Sequence, residues 1–284
     1  MILDRSGCSW SLPPVDGRTD QHGMTMRKVV TMCVSLLLAA ASVVAADPAA
    51  PNLAIDNVHI RVSDPSQARD WYIKHLGATA GGAPTQVFFG KMLIAIVKTD
   101  KPEPSAGSAI DHIGLSFPDL DAKMKELQAA GVKIVTPMRD VPGLFKLGFI
   151  EDPWGVKIEL VQDTERLGFH HVHLSAPDPD AALKWYEDML GGQRDKLKGR
   201  IDGLRYDGIW LLAAKSGAAT PASSGERAVM SVGWQIREIN QAATAFKAKG
   251  AKAVVEPRAI GKIWYAFFED PNGARVELLQ RPTQ

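Results

Sequence analysis

The stretch IDNVHIRVSDPSQARDWYIKHLG, residues 55–77, recurs as FHHVHLSAPDPDAALKWYEDMLG, residues 169–191, without a gap over 23 positions. Val58, His59, Asp64, Pro65, Ala68, Trp71, Tyr72, Leu76 and Gly77 return as Val172, His173, Asp178, Pro179, Ala182, Trp185, Tyr186, Leu190 and Gly191. Each copy opens on the alternation of a half-buried strand. Asp64 and Asp178 then stand where a helix cap is needed, followed by proline at the first helical position, where a missing N–H is no loss. Ala182, Trp185, Tyr186, Met189 and Leu190 fall on one face of a helix. Gly77 and Gly191 supply the stop. The Trp-Tyr pairs are therefore expected in the core.

A second type of repeat alternates with the first. IDHIGLSFPDLDAKMKELQAAG begins at Ile110 and VMSVGWQIREINQAATAFKAKG at Val229. Leu120, Met124 and Leu127 correspond to Ile239, Ala243 and Phe246, again one helix face. Each copy closes alike, as FIEDPWGVKIELVQ from Phe149 and FFEDPNGARVELLQ from Phe267. Asp-Pro-x-Gly marks a turn, and Glu159 and Glu277 hold the same place in the alternating strand after it. The chain thus reads as four βαβββ units, at 53–100, 109–162, 168–215 and 228–281. The joints at 101–108 and 217–225 are rich in Pro, Gly, Ser and Ala, as linkers are. A lone unit cannot bury both faces of its curved sheet, so the units must pair. The expected architecture is α+β, with one module over 53–163 and another over 167–282.

The 284 residues are 45% hydrophobic, with 33 basic against 32 acidic side chains. That balance lacks the basic surface of a nucleic-acid binder. Arg27 and Lys28 precede an apolar run from Val29 to Ala46 that ends in small residues. This is the pattern of a cleaved secretory signal. The mature chain is expected to start near Asp47 and to be exported, periplasmic or secreted, with no membrane anchor. Residues 1–23 are polar and ill suited to precede such a signal, which makes Met24 or Met26 a better start than Met1. Without residues 1–46 the chain keeps 29 basic and 29 acidic residues and loses both cysteines, Cys8 and Cys33. Any metal must then be held by histidine and carboxylate.

These segments closely resemble the vicinal-oxygen-chelate superfamily of glyoxalase, bleomycin-resistance and dioxygenase-like proteins, over nearly all of the mature chain. The likeness rests on IDHIGLSFPDLD from Ile110, DPWGVKIEL from Asp152, HHVHLSAPDPDAALKWYEDMLGG from His170 and DPNGARVELLQ from Asp270. The resemblance implies two modules whose cavities draw metal ligands from the first and last strands of each paired unit. On this chain the first-strand positions are Asn57, His112, His171 and Ser231, and the last-strand positions are Ala95, Glu159, Leu212 and Glu277. His112, Glu159, His171 and Glu277 are the expected ligands, and Glu159 is also the candidate catalytic proton carrier. Such a set suits a divalent ion (Zn, Fe, Mn or Ni) with positions left open for a substrate's adjacent oxygens.

His59 and His173 face the same way as these positions, but two residues along a strand is roughly 6.5–7 Å. A lining or structural role is expected for His59 and His173, with metal ligation as the lesser alternative. Trp154, Trp210, Trp234 and Trp264 lie on or beside strands and could stack on a ligand, although core packing is the commoner fate.

Two pairings are open. Sequential pairing, first unit with second and third with fourth, is the expectation, because it is the commoner arrangement in fused chains and fits the long linkers. It leaves each cavity one ligand short. Crossed pairing of the second unit with the third would assemble His112, Glu159 and His171 and leave Asn57, Ser231 and Glu277 without a metal. The expected function is metal-dependent lyase or isomerase chemistry on a small molecule with vicinal oxygens. The alternative is a protein that binds and sequesters a small molecule without chemistry. The chain departs from the ring-cleaving dioxygenase pattern, having phenylalanine (Phe149 or Phe267) where a tyrosine belongs and no extra histidine. It departs from the glyoxalase I pattern at Ala95 and Leu212, where a fourth ligand belongs.

Overall fold

The computed structural model describes residues 53–282; the signal and start-site expectations lie outside them. The first unit comprises β1 (Ile55–Val62), α1 (Pro65–Leu76), β2 (Thr79–Ala80), β3 (Gln86–Phe89) and β4 (Met92–Lys98). The second comprises β5 (Ile110–Ser116), α2 (Leu120–Ala129), β6 (Lys133–Asp140), β7 (Lys146–Glu151) and β8 (Lys157–Val161). The third comprises β9 (Gly168–Ala176), α3 (Pro179–Leu190), β10 (Gln193–Leu197), β11 (Ile201–Tyr206) and β12 (Ile209–Lys215). The fourth comprises β13 (Val229–Gln235), α4 (Ile239–Ala248), β14 (Lys252–Ile260), β15 (Ile263–Glu269) and β16 (Arg275–Gln280).

The repeated residues do what their chemistry dictates. Asp64 accepts from the backbone N–H groups of Ser66 and Gln67, and Asp178 from that of Ala181. Gly77 ends α1 at φ 73°, a left-handed conformation that costs glycine nothing. Tyr72 and Tyr186 are fully buried. The Tyr72 hydroxyl donates to Asp152 (2.9 Å) and the Tyr186 hydroxyl to Asp270 (3.1 Å). Those aspartates open the Asp-Pro-x-Gly turns, where Asp152 also accepts from the N–H of Trp154 and Val156, and Asp270 from those of Asn272 and Ala274. Two features that recur in the repeats, the tyrosine of Trp-Tyr and the aspartate of Asp-Pro, are thus halves of one contact. It ties the first unit to the second, and the third to the fourth.

The sheets are assembled the other way. One eight-stranded sheet runs β10-β11-β12-β9-β5-β8-β7-β6, joining the second and third units; the other runs β14-β15-β16-β13-β1-β4-β3-β2, joining the first and fourth. Sequential pairing of the sheets is therefore corrected to crossed pairing. The reason lies in the joints. Only residues 162–167 separate β8 from β9, which keeps the second and third units in one sheet. The longer joints after β4 and β12 carry the chain from one sheet to the other, and they run side by side, bridged at Ser108 with Ala222 and Glu103 with Arg227. Long linkers accommodate the crossing that they were expected to make unnecessary.

At the centre of each sheet two first strands meet antiparallel, β5 with β9 and β1 with β13. Both pairings contain register shifts. Ile110 pairs with Leu174 and His112 with His173, so Asp111 is an extra residue; Gly114 pairs with His171 and Leu115 with Phe169, so His170 is another. Asp56 and Met230 hold the matching places in the second sheet. Such bulges re-aim a side chain that strict alternation would send to the opposite face. Among the described residues no helix is long and apolar enough to cross a membrane.

Candidate metal centre

Strands β8, β5 and β9 lie side by side, and Gly114 on the middle one is flanked by Glu159 and His171. Absence of a side chain there is a requirement: a Cβ on Gly114 would lie 2.1 Å from the His171 ring. The ring occupies the space over β5 and reaches Glu159. His171 Nε2 and His112 Nε2 each lie 3.1 Å from Glu159 Oε2. The three side chains are buried, and their ligand atoms all fall within 4.8 Å of one another. His112 is gripped from behind, its Nδ1 2.6 Å from Asp111 Oδ1, and Lys157 pairs with the same aspartate. Phe149 meets the His112 ring edge-on, and His173 stacks on it at 4.6 Å between centroids.

Burial opposes ionisation of Glu159, yet the neighbouring His112 and His171 outweigh it and hold the carboxyl well below its ordinary range. Burial likewise opposes a charge on His112, but Asp111 and Glu159 raise its pKa. Burial lowers that of His171. Together these give one anionic carboxylate between two imidazoles. His171 Nε2 is buried and, despite its proximity to Glu159, makes no hydrogen bond. An orphaned nitrogen facing a carboxylate that a second imidazole shares is a fit for a divalent ion. Zinc sets nitrogen and oxygen ligands about 2.0–2.2 Å from itself, which places them roughly 3.3–3.6 Å apart at a tetrahedral angle.

The sequence model of the Glyoxalase/Bleomycin resistance protein/Dioxygenase superfamily matches residues 54–160 and 168–278. The chain belongs to that superfamily. Among solved structures it is similar to glyoxalase I from Zea mays, with 20% identity, a TM-score of 0.67, and coverage of 80% of this chain and 92% of the maize one. It is also similar to a Bacillus subtilis strain 168 protein provisionally assigned as a dioxygenase, with 16% identity, a TM-score of 0.58, and coverage of 82% and 86%. At these identities the likeness concerns the fold. No curated protein matches the sequence.

Within this superfamily's four-position scheme, the β5/β9 sheet places His112, Glu159 and His171 together and Leu212 at the fourth position. The β1/β13 sheet repeats the layout with other side chains. Asn57 Nδ2 donates to Glu277 Oε2 (2.8 Å) over Gly233, where a Cβ would collide with both. His59 Nδ1 lies 3.1 Å from Ser231 Oγ and 3.7 Å from Glu277 Oε2. Glu277 therefore stands apart from the other three expected ligands. Burial pushes its carboxyl up to about 7 and the His59 imidazole down to about 4. Burial also brings His173 down to about 3.

The tryptophans divide among different surroundings. Trp210 belongs to a compact apolar cluster with Phe145, Leu147, Val161, Leu197 and Leu212, which adjoins Phe149. Through their pairing with His171, His173 and Glu159, β12 and β7 bring Trp210, Leu212 and Phe149 to the face of the candidate ligands. Trp234 is fully buried in the main core between Tyr186 and Tyr206, Trp154 is half-buried in its turn, and Trp264 is exposed. Sequence reasoning did not single out Asp111, His170, Asp163 or Gly114. The recurrence of glycine at 114 and 233 in aligned segments was an available signal for the last.

Proposed function

We propose that this protein is a metal-dependent enzyme of lyase or isomerase type, acting on a small molecule with vicinal oxygens, with His112, Glu159 and His171 as its ligands. The observation that supports the reading best is the convergence of these three buried groups, with His171 Nε2 left unpartnered. A bound divalent ion would supply Lewis acidity toward a carbonyl or enolate oxygen. Leu212 contributes no donor at the fourth position, which leaves room for substrate oxygens. Both histidines approach Oε2 of Glu159, so Oε1 is available to carry a proton to or from the substrate.

A second reading, sequestration of an apolar or aromatic molecule without chemistry, is favoured by the apolar cluster of Trp210, Leu212 and Phe145 beside the same residues. Metal analysis of the purified mature protein beside a chelator-stripped control separates the two. One tightly held equivalent supports the enzyme. A protein that neither holds nor regains a divalent ion, yet binds apolar ligands, supports sequestration.

The pattern from Arg27 to Ala46 also supports export, with a mature start near Asp47. Mass spectrometry of protein from its native host tests it, and an intact N-terminus in the cytoplasmic fraction overturns it.

A further inference from the structure

Behind His171 a chain of buried polar groups runs away from the metal residues. His170 is fully buried at the bulge of β9. Its Nδ1 lies 2.8 Å from His171 Nδ1, and its Nε2 lies 3.3 Å from Asp163 Oδ2. Asp163 is buried and held on every side. Its other oxygen meets Lys198 Nζ at 2.9 Å and the N–H of Glu165. Its backbone N–H donates to Ser116 Oγ, whose hydroxyl donates to its carbonyl. Lys198 also reaches Glu165 (2.8 Å) from a hairpin position with φ 49°.

We propose that His170 and Asp163 are positioning residues that fix His171 as the Nδ1–H tautomer, aiming the bare Nε2 at the metal position. The inference rests on the metal-site reading for its purpose, while the contacts themselves are geometric. An ionised carboxylate only accepts, so the proton between His170 and Asp163 sits on His170 Nε2. Two Nδ1 atoms 2.8 Å apart share one proton. With Nε2 of a neutral His170 donating to Asp163, its Nδ1 can only accept, and the shared proton then belongs to His171. His171 Nε2, which makes no aligned hydrogen bond to Glu159, then carries no proton.

The two histidines are supported unequally. His112 rests directly on a carboxylate, Asp111, whereas His171 is one imidazole removed from its own. Both supports come from bulge residues placed immediately before the ligand. In the other sheet the corresponding residues are Asp56, before Asn57, and Met230, before Ser231. The relay is confined to the sheet that carries the metal residues.

Nitrogen-15 NMR of histidine in the metal-free protein reads the tautomer, and competition with a zinc chelator reads affinity. We expect His171 to be protonated at Nδ1 in the wild type. His170→Phe removes the acceptor and should shift His171 toward Nε2–H while weakening zinc by ~10- to 100-fold. His170→Asn, which keeps an acceptor toward His171 but lacks the reach of Nε2 to Asp163, should preserve the tautomer and recover part of the affinity. A wild-type His171 protonated at Nε2 overturns the proposal, as does a His170→Phe protein with unchanged tautomer and affinity. The wild-type tautomer decides even if His170→Phe fails to fold. A wild type with the Nδ1–H tautomer but no affinity for zinc overturns the metal reading and leaves the positioning intact.

Discussion

Glu159 and His171 meet at 3.1 Å although they come from different halves of the sequence, one from the end of the second βαβββ unit and the other from the start of the third. Their meeting follows from the six-residue joint between β8 and β9, which holds the two units in one sheet. The centre therefore belongs to neither half alone. Each half stays coherent through its helix layer, by the Tyr72–Asp152 and Tyr186–Asp270 contacts.

Single substitutions of the three groups should act on the same ion. His112→Ala, Glu159→Ala and His171→Ala are each expected to abolish its binding, measured as metal per chain after dialysis. Glu277→Ala, in the other sheet beside Asn57 and Ser231, should leave the metal content unchanged. Retention of the ion in His171→Ala would show that the centre is not shared across the second and third units.

Gly114→Ala should disable the centre without touching a ligand. The added methyl would stand 2.1 Å from the His171 ring, so the ring must leave its position over β5. Overpacking of this kind costs about 1–3 kcal/mol. A lower urea midpoint accompanied by at least ~10-fold weaker zinc binding is expected. Loss of stability with normal zinc affinity would mean that His171 has room to adjust.

Most of the scaffold was legible because its signals are local. Asp64 and Asp178 cap helices, Tyr72 and Tyr186 are core, and the Asp-Pro turns fall where the repeats put them. Pairing was not legible from linker length, since a long linker permits either arrangement; the short joint at 162–167 was the better guide. The supports of the two histidines were hidden for a different reason. Strict alternation sends Asp111 and His170 to the face opposite their neighbours, and only the bulges bring them round. A bulge leaves no mark in a single sequence. Trp210 and Trp234 looked alike as strand tryptophans, yet one lies in the cluster on the metal face and the other in the main core.

Acid should weaken metal binding, and the sign follows from His112. Its raised pKa means that the metal-free protein keeps a proton there to higher pH than a free imidazole does, and the ion must displace it. This proton stabilises the metal-free fold most fully below the ordinary histidine value, and the benefit fades as pH rises through the raised one. The ion contributes in the opposite sense, by ~2.7 kcal/mol when free metal is 100-fold above its Kd. Thermal unfolding with and without chelator should therefore show a larger gap at pH 8 than at pH 6. An equal gap at both would exclude proton displacement at His112.

The last prediction isolates Glu277. Its carboxyl, ordinarily near 4.5, is pushed up to about 7 by burial, with Asn57 as its buried donor. The folded protein thus binds a proton there more tightly than the unfolded chain does. The contribution is fully present below about 4.5, declines as pH rises, and is lost above about 7. A shift of this size corresponds to roughly 3 kcal/mol at most. Asp152 and Asp270 are also raised by burial, to about 7 and about 6, and impose the same slope. The difference between two proteins is therefore the proper measure. Glu277→Gln keeps an acceptor for Asn57 and cannot ionise, so it should gain about 1–3 kcal/mol over the wild type at pH 8. Most of that gain should vanish at pH 5. Denaturant unfolding at the two pH values provides the test, and a gain independent of pH would show that Glu277 is ionised in the folded protein throughout.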